Sequence, residues 1–165
     1  TADAAGVVID AGGTLVNNGG ATTMTVGCTN NNAAFYNYGT YTMTSGTLKV
    51  IVDELRDCGV KAGLLRLRTF RPLPVEDLKN ALKNAKAVAV MDKSMSFGGF
   101  GGAIFHEVRH SLYDSPVHPP IINYIYGLGG RDYSPSELRI VFDDLAEIVK
   151  TGDTGKQVRY LGLRE

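Results

Sequence analysis

The chain has 165 residues, of which 44% are hydrophobic, enough for one domain with a sizeable core. Its 17 basic and 17 acidic side chains cancel, which argues against a nucleic-acid or anionic-membrane partner. No apolar run is long enough to span a bilayer, and Cys28 and Cys58 form neither a CxxC pair nor a disulfide framework, which points to a reducing, cytoplasmic setting.

Charge is unevenly placed along the chain. Before Lys49 the only charged side chains are Asp3 and Asp10. That break divides the sequence into residues 1–44, a Gly/Asn/Thr-rich segment that is β-rich or poorly ordered, and residues 45–165, an α/β domain. In the first part, Val7-Val8-Ile9 reads as a strand closed by the turn Asp10-Ala11-Gly12-Gly13. Asn17-Asn18-Gly19-Gly20 and Asn30-Asn31-Asn32 are further turn signals. The short Thr-rich runs between them resemble β-solenoid repeats, but too few repeats are present to bury a core. Thr1 is not an initiator Met, and Thr1 to Ile9 lacks the basic start of a secretory signal, which fits an excised or processed piece.

From Ser45 onward, helical and strand periods alternate. Leu48, Ile51, Val52 and Leu55 share one face of a helix that Gly59 stops. Ala62 to Arg68 follows as a strand, with Leu65 and Leu67 alternating with Arg66 and Arg68, and apolar cover is expected on both faces. Arg71-Pro72-Leu73-Pro74 ends it, since each proline removes a backbone donor. A second helix is predicted to about Lys86, buried through Leu78, Ala81, Leu82 and Ala85. Ala87 to Met91 is a continuous apolar run, typical of a buried parallel strand. The glycine-rich loop Gly98 to Gly102 leads into a helix over about Ala103 to Tyr113, and Ile121 to Tyr126 is the next strand. Ser134-Pro135-Ser136-Glu137 is a capping box with proline at the first helical position. It opens a helix with the stripe Leu138, Val141, Phe142, Leu145, Ile148 and Val149, and Val158 to Leu163 closes the chain as a short strand. This alternation predicts a three-layer α/β sandwich with a mostly parallel sheet.

Several stretches carry candidate chemistry. His106-Glu107-Val108-Arg109-His110 is a literal H-E-x-x-H. On a helix its two histidines lie one turn apart and could share a zinc, with Glu107 as general base and His118 or Glu137 as a third ligand. The metzincin extension is absent, because Tyr113 and Pro116 stand where Gly and His are required. The structural alternative is two histidines on a partly exposed helix face. Gly127-Leu128-Gly129 lacks the third glycine of a dinucleotide fingerprint, and the loop Gly98 to Gly102 lacks the Gly-Lys-Ser/Thr of a P-loop. Both read as tight turns at strand ends, although the second precedes a helix whose first amides could hold an anion. Arg66, Arg68 and Arg71 are cations on one strand and its exit, able to bind a phosphate or carboxylate but favoured for ion pairs across a domain interface.

LLRLRTFRPLPVEDLKNALKNAKAVAVMDKSMSFG (Leu64 to Gly98), NYIYGLGGRD (Asn123 to Asp132) and VRYLGLRE (Val158 to Glu165) resemble, in order, the α subunit of the 2-oxoacid:ferredoxin oxidoreductases, best of all pyruvate:ferredoxin oxidoreductase. The resemblance covers about residues 47–165, whereas residues 1–44 do not match. It implies the transketolase C-terminal-like domain of a thiamine-diphosphate enzyme. Such an enzyme oxidatively decarboxylates pyruvate, reduces ferredoxin through 4Fe-4S clusters and forms acetyl-CoA. Thiamine diphosphate and Mg would be held by a pyrimidine-binding domain and a β subunit that lie outside this sequence. The resemblance therefore implies no catalytic residue and no cofactor bound by this chain alone. It implies a scaffold that packs against that missing domain and against β, γ and δ subunits, with ferredoxin and CoA as partners of the whole. Arg71 and Pro72, with Gly127, Gly129, Gly130, Arg131 and Asp132, are the expected contact residues. The family commonly has a threonine-type residue where this chain has His106, which favours an accidental H-E-x-x-H. The remaining alternatives are a zinc hydrolase on His106, Glu107 and His110, and a non-catalytic interaction module.

Overall fold

The computed structural model describes residues 5–10, 45–131 and 133–163. Five strands and four α-helices follow one another as β1 (Ala5–Asp10), α1 (Ser45–Asp57), β2 (Lys61–Arg66), α2 (Val75–Leu82), β3 (Ala87–Asp92), α3 (Ala103–Leu112), β4 (Ile121–Ile125), α4 (Pro135–Thr151) and β5 (Val158–Tyr160). All neighbouring strands pair in parallel, in the order β2-β1-β3-β4-β5. Because every strand runs the same way, the exits of all five strands share one edge of the sheet. The order is one of the two common doubly wound arrangements, with its switch point between β1 and β3.

The pleat sorts β3 and β4 between two cores. Ala87, Ala89 and Met91 of β3, with Ile122 and Tyr124 of β4, face α1 and α4. Val88, Val90 and Ile121 face α2 and α3. On the first side lie Leu48, Ile51, Val52 and Leu55 of α1 and Leu138, Val141, Phe142, Leu145 and Ile148 of α4. On the second lie Leu82 of α2 and Ile104, Phe105, Val108 and Leu112 of α3. Helices therefore cover both faces, and the three-layer sandwich expected from the alternation of periods is the observed architecture.

Three details differ from the sequence reading. The strand Lys61–Arg66 is half-buried because it lies at the edge of the sheet, so the expected cover on both faces is incomplete. Its neighbour in the sheet is Ala5–Asp10, whose backbone registers against it from Ala5↔Lys61 to Asp10↔Arg66 and against β3 from Gly6↔Ala87 to Asp10↔Met91. Helix α2 stops at Leu82 rather than near Lys86, and within it Leu78 and Leu82 are buried while Ala81 is exposed. Cys58, just past α1, is disulfide-bonded, where the sequence predicts no disulfide framework. The remaining expectations for the Gly/Asn/Thr-rich segment, from residue 11 to residue 44, lie outside the described residues.

Candidate functional site

In doubly wound sheets ligands collect beyond the strand exits. Here that edge is organised by a buried polar pair. Asp92 ends β3, and Asn123 interrupts the apolar run of β4; both are buried. The Asp92 carboxylate accepts hydrogen bonds from the Ile104 amide (2.9 Å), the Phe105 amide (3.1 Å) and the Asn123 side-chain amide (3.0 Å). Asn123 also donates to the Val90 carbonyl at 2.9 Å and accepts from the Gly102 amide at 2.8 Å. The first amides of α3, which would otherwise attract an anion, are thus bound by the chain's own carboxylate. Burial pushes the Asp92 carboxyl above its ordinary range, and the two amides, Asn123 and nearby His106 pull the other way.

The glycine loop exists to let this happen. A Cβ on Gly102 would lie 2.1 Å from Asp92 Cγ, and one on Gly101, where φ is +93°, would lie 2.9 Å from Asn123 Oδ1. The expected tight turn is therefore a close packing of backbone against Asp92 and Asn123. The next exit is handled similarly. Gly127 is left-handed, Leu128–Gly130 form a 3-10 turn, and α4 is capped by the predicted box, in which Glu137 N–H donates to Ser134 Oγ at 3.2 Å and Ser134 N–H donates to the Glu137 carboxylate.

The H-E-x-x-H residues point to different partners. His106 Nε2 lies 2.6 Å from the Phe100 carbonyl, and Glu107 accepts from Arg71 at 2.5 Å. His110 instead lines a cleft of about 390 Å³ at the entry side of β4, with Arg109, His118 and Gln157 among its walls. Among the described residues no group of three His, Cys, Asp or Glu side chains is placed to hold a metal ion. The zinc-hydrolase alternative finds no support in this arrangement.

The expected contact residues fall at one edge but in two places. Arg71 and Pro72 leave β2, joined by a cis peptide bond. Both are exposed, and Arg71 reaches across to α3 through Glu107 and stacks 4.1 Å over the Phe70 ring. Gly127, Gly129, Gly130 and Arg131 leave β4, and Arg131 donates to the Gly162 carbonyl at 2.5 Å, fastening the β4 exit to the β5 exit. Asp132 lies outside the described residues. With β1 and β3 between them, the two groups stand roughly 14 Å apart across the sheet at the usual strand spacing.

Two polar clusters escaped the sequence reading. Asp92 with Asn123 is one, and the signal for it was an asparagine inside an otherwise apolar strand. The other ties β4, α4 and β5 together. Tyr124 hydroxyl and Arg159 both donate to Asp144, while Arg159 also donates to the Lys156 carbonyl at 3.0 Å and the Thr154 carbonyl at 2.7 Å. Burial and the Asp144 carboxylate push the Tyr124 hydroxyl pKa well up, so it stays a donor.

Residues 34–138 match the family described as pyruvate:ferredoxin oxidoreductase core domain II. The chain belongs to that family. Among similar curated proteins, pyruvate synthase subunit PorA of Thermotoga maritima is 41% identical over 122 residues, covering 74% of this chain and 30% of that subunit. Ketoisovalerate oxidoreductase subunit VorA of Pyrococcus furiosus is 40% identical over 119 residues, covering 72% and 30% respectively. Pyruvate synthase subunit PorA of Methanosarcina barkeri is 41% identical over 120 residues, covering 73% and 30%. This core domain II chain therefore spans about 30% of the length of those relatives.

Proposed function

We propose that this core domain II is a structural part of the α subunit of a 2-oxoacid:ferredoxin oxidoreductase, acting on pyruvate, and that it carries no catalytic residue. The observation that carries this reading is the identity of about 40% to subunits named pyruvate synthase and ketoisovalerate oxidoreductase. The whole enzyme would oxidatively decarboxylate the 2-oxoacid, pass electrons to ferredoxin and form acetyl-CoA from pyruvate. Its thiamine diphosphate, Mg and 4Fe-4S clusters would sit in the missing pyrimidine-binding domain and in the β, γ and δ subunits, in a cytoplasmic assembly.

The starts of α3 and α4 and the cysteine content do not fit those cofactors. A diphosphate would need free amides at a helix start, yet those of α3 are bound by Asp92 and α4 is closed by Ser134 and Glu137. A cubane cluster needs four thiolates, and Cys58 is the only cysteine in the described residues. No step of the reaction is therefore assigned to this chain. Its role in the proposal is to hold neighbouring domains through the strand-exit edge, with Arg71, Pro72 and the Gly127 to Asp132 loop as contacts.

The test is reconstitution. The α subunit carrying this domain, combined with its partner subunits, should reduce a ferredoxin-like dye when given pyruvate and CoA. Full activity in an assembly from which this domain has been deleted would overturn the reading.

A further inference from the structure

The strand-exit edge displays apolar side chains that the core does not use. Phe97, at the tip of the glycine loop, is fully exposed; Phe100 is 60% exposed, and Met95 and Tyr160 are also open to solvent. The Tyr160 hydroxyl lies 2.8 Å from Met95 Sδ, so the patch runs from the β3 exit to the β5 exit. The loop holding the two phenylalanines is pinned along its length. Ser96 N–H donates to the Gly101 carbonyl at 2.8 Å, and Gly99 N–H to the Ser96 carbonyl at 3.0 Å. Met95 pairs with Gly102 in an antiparallel bridge, His106 holds the Phe100 carbonyl, and Asn123 holds the Gly102 amide.

A stiff loop that presents large aromatic groups to water stabilises nothing in the free domain. On docking it contributes apolar burial at low ordering cost, the pattern of an interface anchor. We propose that Phe97, Phe100, Met95 and Tyr160 are the surface through which this domain packs against the remainder of its own polypeptide. The inference deepens the core-domain reading above and rests on it. Two observations support this occupant. The matched segment is about 30% of each relative, so most of such a subunit lies elsewhere in the same polypeptide. At the usual 150–250 Å² per aromatic side chain the patch offers on the order of 400–500 Å², in keeping with the contacts of about 600–1,500 Å² in total that are usual between domains of one chain, where tethering supplies a high effective concentration.

Hydroxyl-radical footprinting of the intact α subunit, without other subunits, reads the surface directly. Phe97 and Phe100 should be oxidised at least tenfold more slowly than their intrinsic reactivity predicts, with exposed Ile140 and Tyr113 as internal references. A photoreactive phenylalanine analogue at position 97 should cross-link to subunit residues outside residues 1–165. Oxidation of Phe97 at its free rate would overturn the proposal, and so would a cross-link confined to these 165 residues, to a second copy or to another subunit. Phe97→Ser, which removes no core contact, should make cleavage between the domains at least tenfold faster; an unchanged rate counts against the surface. A protected Phe97 in a subunit that fails the reconstitution assay supports the surface and faults only the functional reading. An active subunit with Phe97 free faults only the surface.

Discussion

Asp92 answers to three donors at once, and its removal should be felt through all of them. Asp92→Ala leaves two α3 amides and the Asn123 amide without their acceptor in a buried place, so a loss of about 3 kcal/mol is expected from the chemical-denaturation midpoint. Gly102→Ala attacks the same spot from the backbone side, because the new methyl would overlap Asp92. It should cost about 2 kcal/mol or more by overpacking. Glu54 makes a pH prediction. It is buried on α1 beside Arg139 of α4, 3.7 Å away, and burial raises its carboxyl above the ordinary 4.5, with Arg139 pulling back only in part. The folded state then holds this proton more tightly than the unfolded chain does. The resulting stability is fully present below about pH 4.5 and is lost as pH rises through the higher folded value. Glu54→Gln should flatten that segment of the stability curve; an identical slope in wild type and variant would show that Glu54 is not its source.

The helices were the legible elements, because their apolar stripes and stops are local. The α1 face, the α4 stripe and the Ser134 capping box occur as the periodicity and spacing predict. Ser134→Ala should therefore cost about 1 kcal/mol in thermal unfolding, the usual worth of such a cap. What the sequence concealed was long-range. No local pattern announces that β1 enters between β2 and β3, and so the sequence predicts cover on both faces of β2 when it is an edge. The Asp92–Asn123 pair was hidden for the same reason, since its members lie 31 residues apart. The H-E-x-x-H pattern erred in the other direction. It is strong as a string, but its first two residues are held by Phe100 and Arg71. Glu107→Gln breaks only an exposed ion pair, so it should change the stability of the chain by less than about 1 kcal/mol. Calorimetry on the purified chain checks this, and a much larger loss would mean that the Arg71–Glu107 pair anchors the β2 exit.

At the scale of the molecule, parallel pairing turns one edge of the sheet into the place where all the distinctive features meet: the pinned glycine loop, the Arg71 hook, the 3-10 turn and the exposed aromatic patch. Both α3 and α4 begin at this edge with their amides already satisfied, which suits a surface for protein better than one for a small anion. The place of β1 in the sheet has a separate consequence. The slot between β2 and β3 is lined by backbone donors and acceptors on both sides and is reached by a strand that precedes α1 by more than thirty residues. Hydrogen-bonding edges of that kind recognise an extended backbone rather than a particular string of side chains. The slot is thus a socket, and a chain cut between β1 and α1 should regain its sheet when a short extended apolar peptide is supplied in trans, with the peptide's own sequence free to vary.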